Sequence, residues 1–353
     1  MKILAINPGS TSTKIALYND EKEIFTKNIT HQASELSKYE KITDQKDLRT
    51  LELTKALEEN NEKLEEIDAF VGRGGLLMPI KSGTYNINDK MIEHLEIGVS
   101  GEHASNLGGI IAKELASIHK KKSFIVDPVV VDEFPDIARY TGLRDVKRKS
   151  IFHALNQKAV AKQYAKDIGK KYEDITVVVT HLGGGVSVGV HHKGDVIDVN
   201  NALGGDGPFS PERSGTLPAF EFIKFIKDKE EKDIKLALKG KGGLVNYFGT
   251  SDCREVEKLM NDGNEEAKIV LEAMAYSIAK EIGSMSTVVS GKVDAILLTG
   301  GIAYSEFITS YITEKVSYIA DVVKYPGENE MEALVFGGLR VLNNEEKAMD
   351  YPY

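Results

Sequence analysis

The sequence predicts an α/β protein of two duplicated lobes with a cleft between them, and three observations carry that prediction. The chain has 353 residues, too many for one ordinary core and suited to two domains of ~150 residues or more. Two patterns of strand, glycine turn and strand, at Gly9 and Gly183, start 174 positions apart, close to half the chain. A second echo runs from Ile67-Asp68-Ala69 to Gly74-Gly75 and from Val293-Asp294-Ala295 to Gly300-Gly301, the glycine pair beginning six residues after the aspartate each time.

Each element follows from local pattern. Lys2 to Asn7 and Thr13 to Asn19 are short apolar runs around the turn chemistry of Pro8-Gly9-Ser10, and Glu23 to Ile29 extends the hairpin. Leu, Glu and Lys over 52–66 predict a helix, and Ser123 to Val126 a strand ending at Asp127-Pro128. The order then recurs, with Thr176 to His181, Val186 to His191 and Asp195 to Asn200 as strands. Ala267, Val270, Leu271, Met274, Ile278, Ile282 and Met285 fall on one helical face, so 265–289 is a long core helix. The later lobe carries about 52 extra residues, assigned to the Lys- and Glu-rich stretch Ile223 to Asn261. A helix over 330–343 crosses back onto the first lobe, and the tail from Asn344 frays. Residues 1–150, completed by 330–353, form the first lobe and 151–329 the second.

Charge and cysteine usage narrow the partners. The 45 Lys plus Arg against 54 Asp plus Glu leave a formal charge of -9, a field that repels nucleic acid and anionic membranes. The single Cys253 forms no internal disulfide and reads as an inert thiol, in keeping with the cytoplasm. No run approaches the ~18 apolar residues of a membrane helix, and the run from Met1 breaks at Asn7, too early for a signal peptide, so the mature chain is expected to start at or near Met1.

The candidate chemistry lies in the glycine turns. Asn7-Pro8-Gly9-Ser10-Thr11-Ser12-Thr13-Lys14 is either a solvated hairpin turn or a loop whose amides, hydroxyls and lysine wrap a phosphate. In His181-Leu182-Gly183-Gly184-Gly185 three glycines between strands permit close approach by a ligand or backbone. Thr299-Gly300-Gly301-Ile302 is a third such turn, suited to border a nucleoside. Gly185-Val186-Ser187-Val188-Gly189 has the Gly-x-Ser-x-Gly spacing but lies in an alternating strand rather than at a strand-to-helix elbow, and neither Cys-x-x-Cys nor His-Glu-x-x-His occurs, so hydrolase and zinc chemistry have no support. Phosphoryl transfer, which works by positioning and charge stabilisation, calls for cations beside glycine turns. Arg73 and Arg213 are such cations, or else solvated loop charges. His103, His153 and His181 read equally as packing residues, and Asp127 as a ligand at a strand end or a structural turn.

Together these motifs resemble the acetate and butyrate kinase (acetokinase) family along essentially the whole chain. Asn7, Gly9, Ser10, Ser12 and Lys14 match its Asn-x-Gly-Ser-Ser-Ser-x-Lys opening. Arg73 is similar to its Arg-x-x-His-Gly-Gly loop, His103 with Asn106-Leu107 to its His-Asn-Pro-x-Asn-Leu, and Phe152-His153 to its Phe-His-Gly. His181-Leu182-Gly183 and Arg213-Ser214-Gly215 complete the series. The departures, Pro8, Ala154, Gly184 and Asp127-Pro128-Val129-Val130-Val131-Asp132-Glu133, look like the butyrate kinase branch.

The resemblance implies two duplicated actin-like ATPase (ribonuclease H-like) domains with a nucleotide cleft between them, the C-terminal one binding ATP. It implies Mg²⁺ held by Asn7 and a glutamate of the last helix, Glu332 before Glu330. His181, Gly183, Gly184 and Gly185 touch the phosphates, with Gly300, Gly301 and Ile302 beside the nucleoside. Arg73, Arg213, Asp127 and His153 border the reacting groups. Gly75, His103, Phe152 and Pro208 are expected around the acid, Gly75 standing where the family places a valine against the acetate methyl, or else serving only its turn. The implied reaction is phosphorylation of a short-chain fatty acid by ATP, with butyrate favoured over isobutyrate, isovalerate or propionate. A non-catalytic nucleotide sensor of the same superfamily is the remote alternative. A homodimer or larger homo-oligomer is expected, without nucleic-acid or membrane partners.

Overall fold

A computed structural model describes residues 1–353, which divide into two units, Met1–Val131 with Asn329–Tyr353, and Asp132–Glu328. The division falls ahead of residue 150 because the segment after Val131 is tied into the second unit. There the buried Glu133 pairs with Lys158 at 2.7 Å and accepts from Val196 N, and Arg148 chelates Asp198.

The first unit opens with β1 (Lys2–Pro8), β2 (Ser12–Asn19) and β3 (Lys22–Thr30), an antiparallel meander, followed by α1 (Ala33–Leu36) and α2 (Lys46–Glu59). Then come β4 (Ala69–Arg73), β5 (Thr84–Asn86), α3 (Asp89–Glu96), α4 (Asn106–His119) and β6 (Lys122–Val126). Helix α2 lies earlier than the 52–66 expected: a 3₁₀ turn over Ile42–Gln45 starts it, and Asn61 at φ 58° ends it, a left-handed position that asparagine tolerates.

The second unit contains α5 (Ala154–Asp167), β7 (Thr176–Leu182), β8 (Val186–His192) and β9 (Asp195–Val199). Helices α6 (Ala219–Ile226), α7 (Glu231–Leu238), α8 (Leu244–Phe248) and α9 (Cys253–Asn261) occupy the stretch assigned to the extra residues. They precede α10 (Glu265–Thr287), the long core helix, and β10 (Ala295–Gly300), α11 (Glu306–Val316) and β11 (Val322–Pro326). Its sheet order is β11-β10-β7-β8-β9.

The chain then returns to the first unit as α12 (Glu330–Leu342), which packs on β1, β4 and β6, and as β12 (Met349–Asp350). The tail expected to fray is instead ordered by pairing: β12 extends the first sheet to β12-β5-β6-β4-β1-β2-β3. The Tyr351 ring is buried, and its hydroxyl accepts from Met78 N and bonds His94 Nδ1.

Candidate active site

In the first unit the ends of three adjacent strands line up one polar row. Asn7 on β1 stands opposite Lys14 on β2, so both side chains project from the same face, and Arg73 at the end of β4 lies on the other side of Asn7. Arg73 Nη1 donates to Asn7 Oδ1 at 3.2 Å and to Glu330 Oε2 at 2.9 Å, and Asn7 Nδ2 donates to the same carboxylate oxygen at 2.9 Å. Glu330, buried, is the first residue of α12, where the helix dipole favours an anion. Lys14 pairs with no carboxylate.

The structure therefore brings Glu330, rather than Glu332, to Asn7, and Glu332 lies within electrostatic reach of Tyr18. Two residues along a helix turn the side chain by roughly 200°. Magnesium takes hard oxygen ligands, one or two from protein carboxylates and the rest from phosphates and water. Asn7 Oδ1 and Glu330, only one of whose oxygens is engaged, are such ligands, and no group of three or more His, Cys, Asp or Glu exists to cage a metal with protein alone. The donor set fits magnesium.

Behind the Gly9–Ser12 turn sits a residue that sequence reasoning missed. Arg49 of α2 is fully buried and has no carboxylate partner. Its guanidinium donates to the carbonyls of Gly9 (2.9 Å), Ser10 (3.2 Å) and Ser12 (2.8 Å), to Thr13 Oγ1 (3.0 Å) and to Gln45 Oε1. Peptide planarity then directs the N–H groups of the same peptides, on Ser10 and Thr11, away from Arg49. A turn with its carbonyls facing a buried cation and amides facing out suits an anion. Burial lowers the Arg49 pKa from its ordinary value, and burial followed by Arg49 lowers that of His31, whose Nε2 bonds Thr13 Oγ1.

Other candidates of this unit have structural duties. A Cβ on Gly75 would lie 2.3 Å from Asn106 Oδ1 and 2.6 Å from Asn106 Cα, so glycine here admits the start of α4, in keeping with the reading in which it serves its turn. Asp127, at φ 38°, accepts from Gly83 N at 2.7 Å and ties β6 to β5, while His103 Nδ1 accepts from Ser105 N.

In the second unit the corresponding row is Thr299, His181 and Ser187 across β10, β7 and β8, fully or almost fully buried. His153, which precedes α5, stacks on His181 with ring centroids 3.8 Å apart and planes at 13°. His181 Nδ1 bonds Asn156 Oδ1 at 2.7 Å, and its Nε2 is 3.3 Å from Glu328 Oε1. Next to the pair, the Gly183–Gly185 turn is clasped by the loop carrying Arg213, through Glu212 N to Gly184 O and Ser210 Oγ to Gly184 O. Arg213 Nη1 donates to Glu212 Oε2, but its Nε is buried without a partner, a donor waiting for an anion. A Cβ on Gly185 would be 3.7 Å from that Nε and 3.8 Å from His153 Cε1, which places all three together. Burial and then Arg213 hold the Lys239 ammonium below its usual pKa.

A cavity of about 810 Å³ adjoins the glycine turn, lined in part by Gly183, Gly184, Gly301, Ile302, Asp252 and Arg254. Gly300 must be glycine: at φ 89°, a Cβ there would lie 2.3 Å from Leu182 O. Asp252 and Arg254, paired at 2.6 Å, were not singled out from the sequence, though they flank the one cysteine. Burial and Glu257 push the Cys253 thiol up to about 12, in keeping with an inert thiol. Phe152 and Pro208 are buried.

The acetokinase family model matches residues 137–330. The chain is 53% identical over 352 residues to butyrate kinase 1 of Clostridium acetobutylicum and 52% identical to butyrate kinase 2 of that organism, covering 99% of each chain. The chain belongs to the acetokinase family. Its fold is similar to the crystal structure of Porphyromonas gingivalis acetate kinase, with a TM-score of 0.80 at 19% identity over 97% of this chain and 99% of the other. As an acetokinase-family chain with two mixed α/β sheets, it has the actin-like fold expected.

Proposed function

We propose that the protein transfers the γ-phosphoryl group of ATP to the carboxylate of a short-chain fatty acid, with butyrate the preferred acid. The full-length identity of 53% to a butyrate kinase carries this reading, and both polar rows are chemically suited to it. The second unit binds the nucleotide in its 810 Å³ cavity, with the phosphates at Gly183–Gly185. A carboxylic acid of pKa ~4 to 5 is already ionised at neutral pH, so no general base is needed. A carboxylate oxygen forms the new bond to phosphorus as the bond to the ADP oxygen breaks, and no proton moves.

The obstacle is charge. Two unit charges ~4 Å apart repel by ~4 kcal/mol at an effective dielectric near 20. Lys14 and Arg73 in the first unit and Arg213 in the second are each cations suited to offset that repulsion, and N–H donors of this kind stabilise the equatorial oxygens as charge develops there. Asn7 and Glu330 would hold Mg²⁺, which when bound neutralises phosphate charge. A cytoplasmic location and a homo-oligomeric state belong to the same reading. No helix is long and apolar enough to cross a membrane, and light scattering on the purified protein reads the assembly.

Linear and branched C2 to C6 acids, assayed as acyl hydroxamates with ATP and Mg²⁺, test the reaction. Butyrate is expected to give the highest kcat/KM, with glycerol and hexoses inert. Phosphorylation of a polyol or hexose but not butyrate would replace this reading with a sugar kinase, and nucleotide binding without any turnover would make the protein a sensor.

A further inference from the structure

The proton positions on the stacked histidines can be derived, because each ring is wired to a backbone carbonyl that can only accept. Gln157 of α5 has its Nε2 3.0 Å from Ser187 O, and this fixes the amide orientation. Gln157 Oε1 then faces His191 Nε2 at 3.0 Å, so His191 donates there, and its Nδ1 accepts from Tyr172 OH at 2.8 Å. This is the neutral form of a fully buried ring whose pKa burial, and then Lys158, lowers well below the ordinary value. Gln157 Nε2 also donates to Ser187 Oγ at 2.8 Å. The Ser187 hydroxyl is fully buried, and its proton finds an acceptor at its other partner, His153 Nδ1, at 2.9 Å.

The other ring is wired in the opposite sense. Thr299 Oγ1 donates to Gly327 O at 3.2 Å and accepts from Asn156 Nδ2 across a long 3.4 Å, so Asn156 Oδ1 accepts from His181 Nδ1–H. One ring of the stack carries its proton on Nδ1, and the other receives a proton there from a serine.

We propose that Gln157 and Ser187 are positioning residues that place the ring proton of His153 on Nε2, making this histidine a neutral hydrogen-bond donor to the transferring phosphoryl group. Neutrality matters because two imidazolium rings 3.8 Å apart repel. The assignment of the acceptor rests on the proposed kinase reaction, whereas the tautomer does not.

The test has two arms. Two-bond ¹H–¹⁵N spectra of histidine-labelled, full-length wild-type protein without substrate are expected to show a protonated Nε2 and a bare Nδ1 at His153, and the reverse at His181. A proton on His153 Nδ1 overturns the proposal, whether or not the protein phosphorylates butyrate. Gln157→Glu, of equal size, makes residue 157 an acceptor for the Ser187 hydroxyl. Ser187 must then accept from His153 Nδ1–H, which leaves a lone pair on Nε2. The expected loss in kcat is about 100-fold, as for a removed oxyanion donor, with the KM of both substrates within about threefold and the His153 shifts inverted. Gln157→Leu, which frees Ser187 to turn either way, is expected to lose less than about tenfold. A folded Gln157→Glu that keeps kcat within about threefold overturns the catalytic half, and if it does not fold, the wild-type spectrum still decides.

Discussion

The two sheets are versions of one design, and their differences show how a duplicated fold divides labour. In each, an antiparallel meander is followed by a parallel fourth strand, and an aspartate just before that strand grips the first residues of the meander. Asp68 accepts from Lys2 N and donates its own N–H to Lys2 O, and Asp294 does the same with Thr176. Both meanders shift register in the second hairpin, at Leu17/Tyr18 and at Val190/His191. Each also sets a helix N-terminus at the end of its first strand, α12 with Glu330 beside Asn7 and α5 with Asn156 beside His181. The equivalent rows have diverged: Arg73, Asn7 and Lys14 are partly exposed and cationic, whereas Thr299, His181 and Ser187 are buried and hydrogen-bonded. On the proposed reading, one row supplies charge and the other proton placement.

The sharpest way to break this contrast is to discharge the first row. Arg73→Ala is expected to lower kcat by about 10²- to 10³-fold while KM for ATP stays within about threefold. Arg213→Ala, the cation nearest the second row, is expected to cost about 10²-fold. Steady-state kinetics on butyrate checks both, and near wild-type kcat in both variants would remove them from the reaction.

The turns differ as well. The first is one residue longer than the second and is backed by Arg49, where the second is bare glycine clasped by Ser210 and Glu212. Arg49→Met keeps the bulk but strands several buried acceptors, at ~1–3 kcal/mol for each left unpaired. The turn is expected to lose its shape, with kcat/KM for ATP down about 10- to 100-fold. Differential scanning fluorimetry is expected to show wild type stabilised by pyrophosphate and the variant not. Retained stabilisation would mean that Arg49 does not support an anion site.

What was legible in the sequence was what one segment can carry alone. The meanders announced themselves through apolar runs around glycine turns, and the aspartate-to-glycine echo marked the fourth strands. Arg49 shares a stripe with Leu53, Ala56 and Leu57 at helical spacing, a basic residue on a buried face. The signal was present, but a helix placed from residue 52 excluded it. Gln157, Ser187 with His191, and Tyr172 come from three elements, α5, β8 and the 3₁₀ turn Tyr172–Asp174, and no single segment shows that their polar atoms meet. Glu330 and Glu332 are both acidic residues in the first turn of one helix, and only its rotation against β1 separates them.

Gly75 sharpens the comparison at a third place: Gly74 and Gly300 are both closely packed, but a Cβ on Gly75 would meet Asn106 whereas its counterpart Gly301 faces open space. Gly75→Val would force Asn106 aside, an overpacking that costs about 1–3 kcal/mol. Activity on acetate and on butyrate is expected to fall together, their ratio changing by less than about twofold. A selective loss of butyrate turnover in a folded variant would restore Gly75 to the acyl pocket.

The smallest expected effect concerns the two buried histidines, His31 in the first unit and His191 in the second. Burial lowers both pKa values, further at His191. A histidine held neutral in the folded state contributes stability that is fully present above its unfolded pKa of ~6.5 and is lost as pH falls towards the folded value, because the unfolded chain takes up the proton first. Each ring therefore adds up to about 1.36 kcal/mol per pH unit to the slope of stability below pH ~6.5. The contribution of His31 should level off first and that of His191 should continue to lower pH. His31→Gln, whose amide can still reach Thr13 Oγ1, removes one titration without removing the hydrogen bond. Urea midpoints measured from pH 7.5 to 5.0 are expected to fall less steeply in this variant than in wild type, with the two curves meeting near neutrality. Parallel curves across that range would show that His31 titrates in the folded protein as it does in the unfolded chain, and that burial beside Arg49 does not hold it neutral.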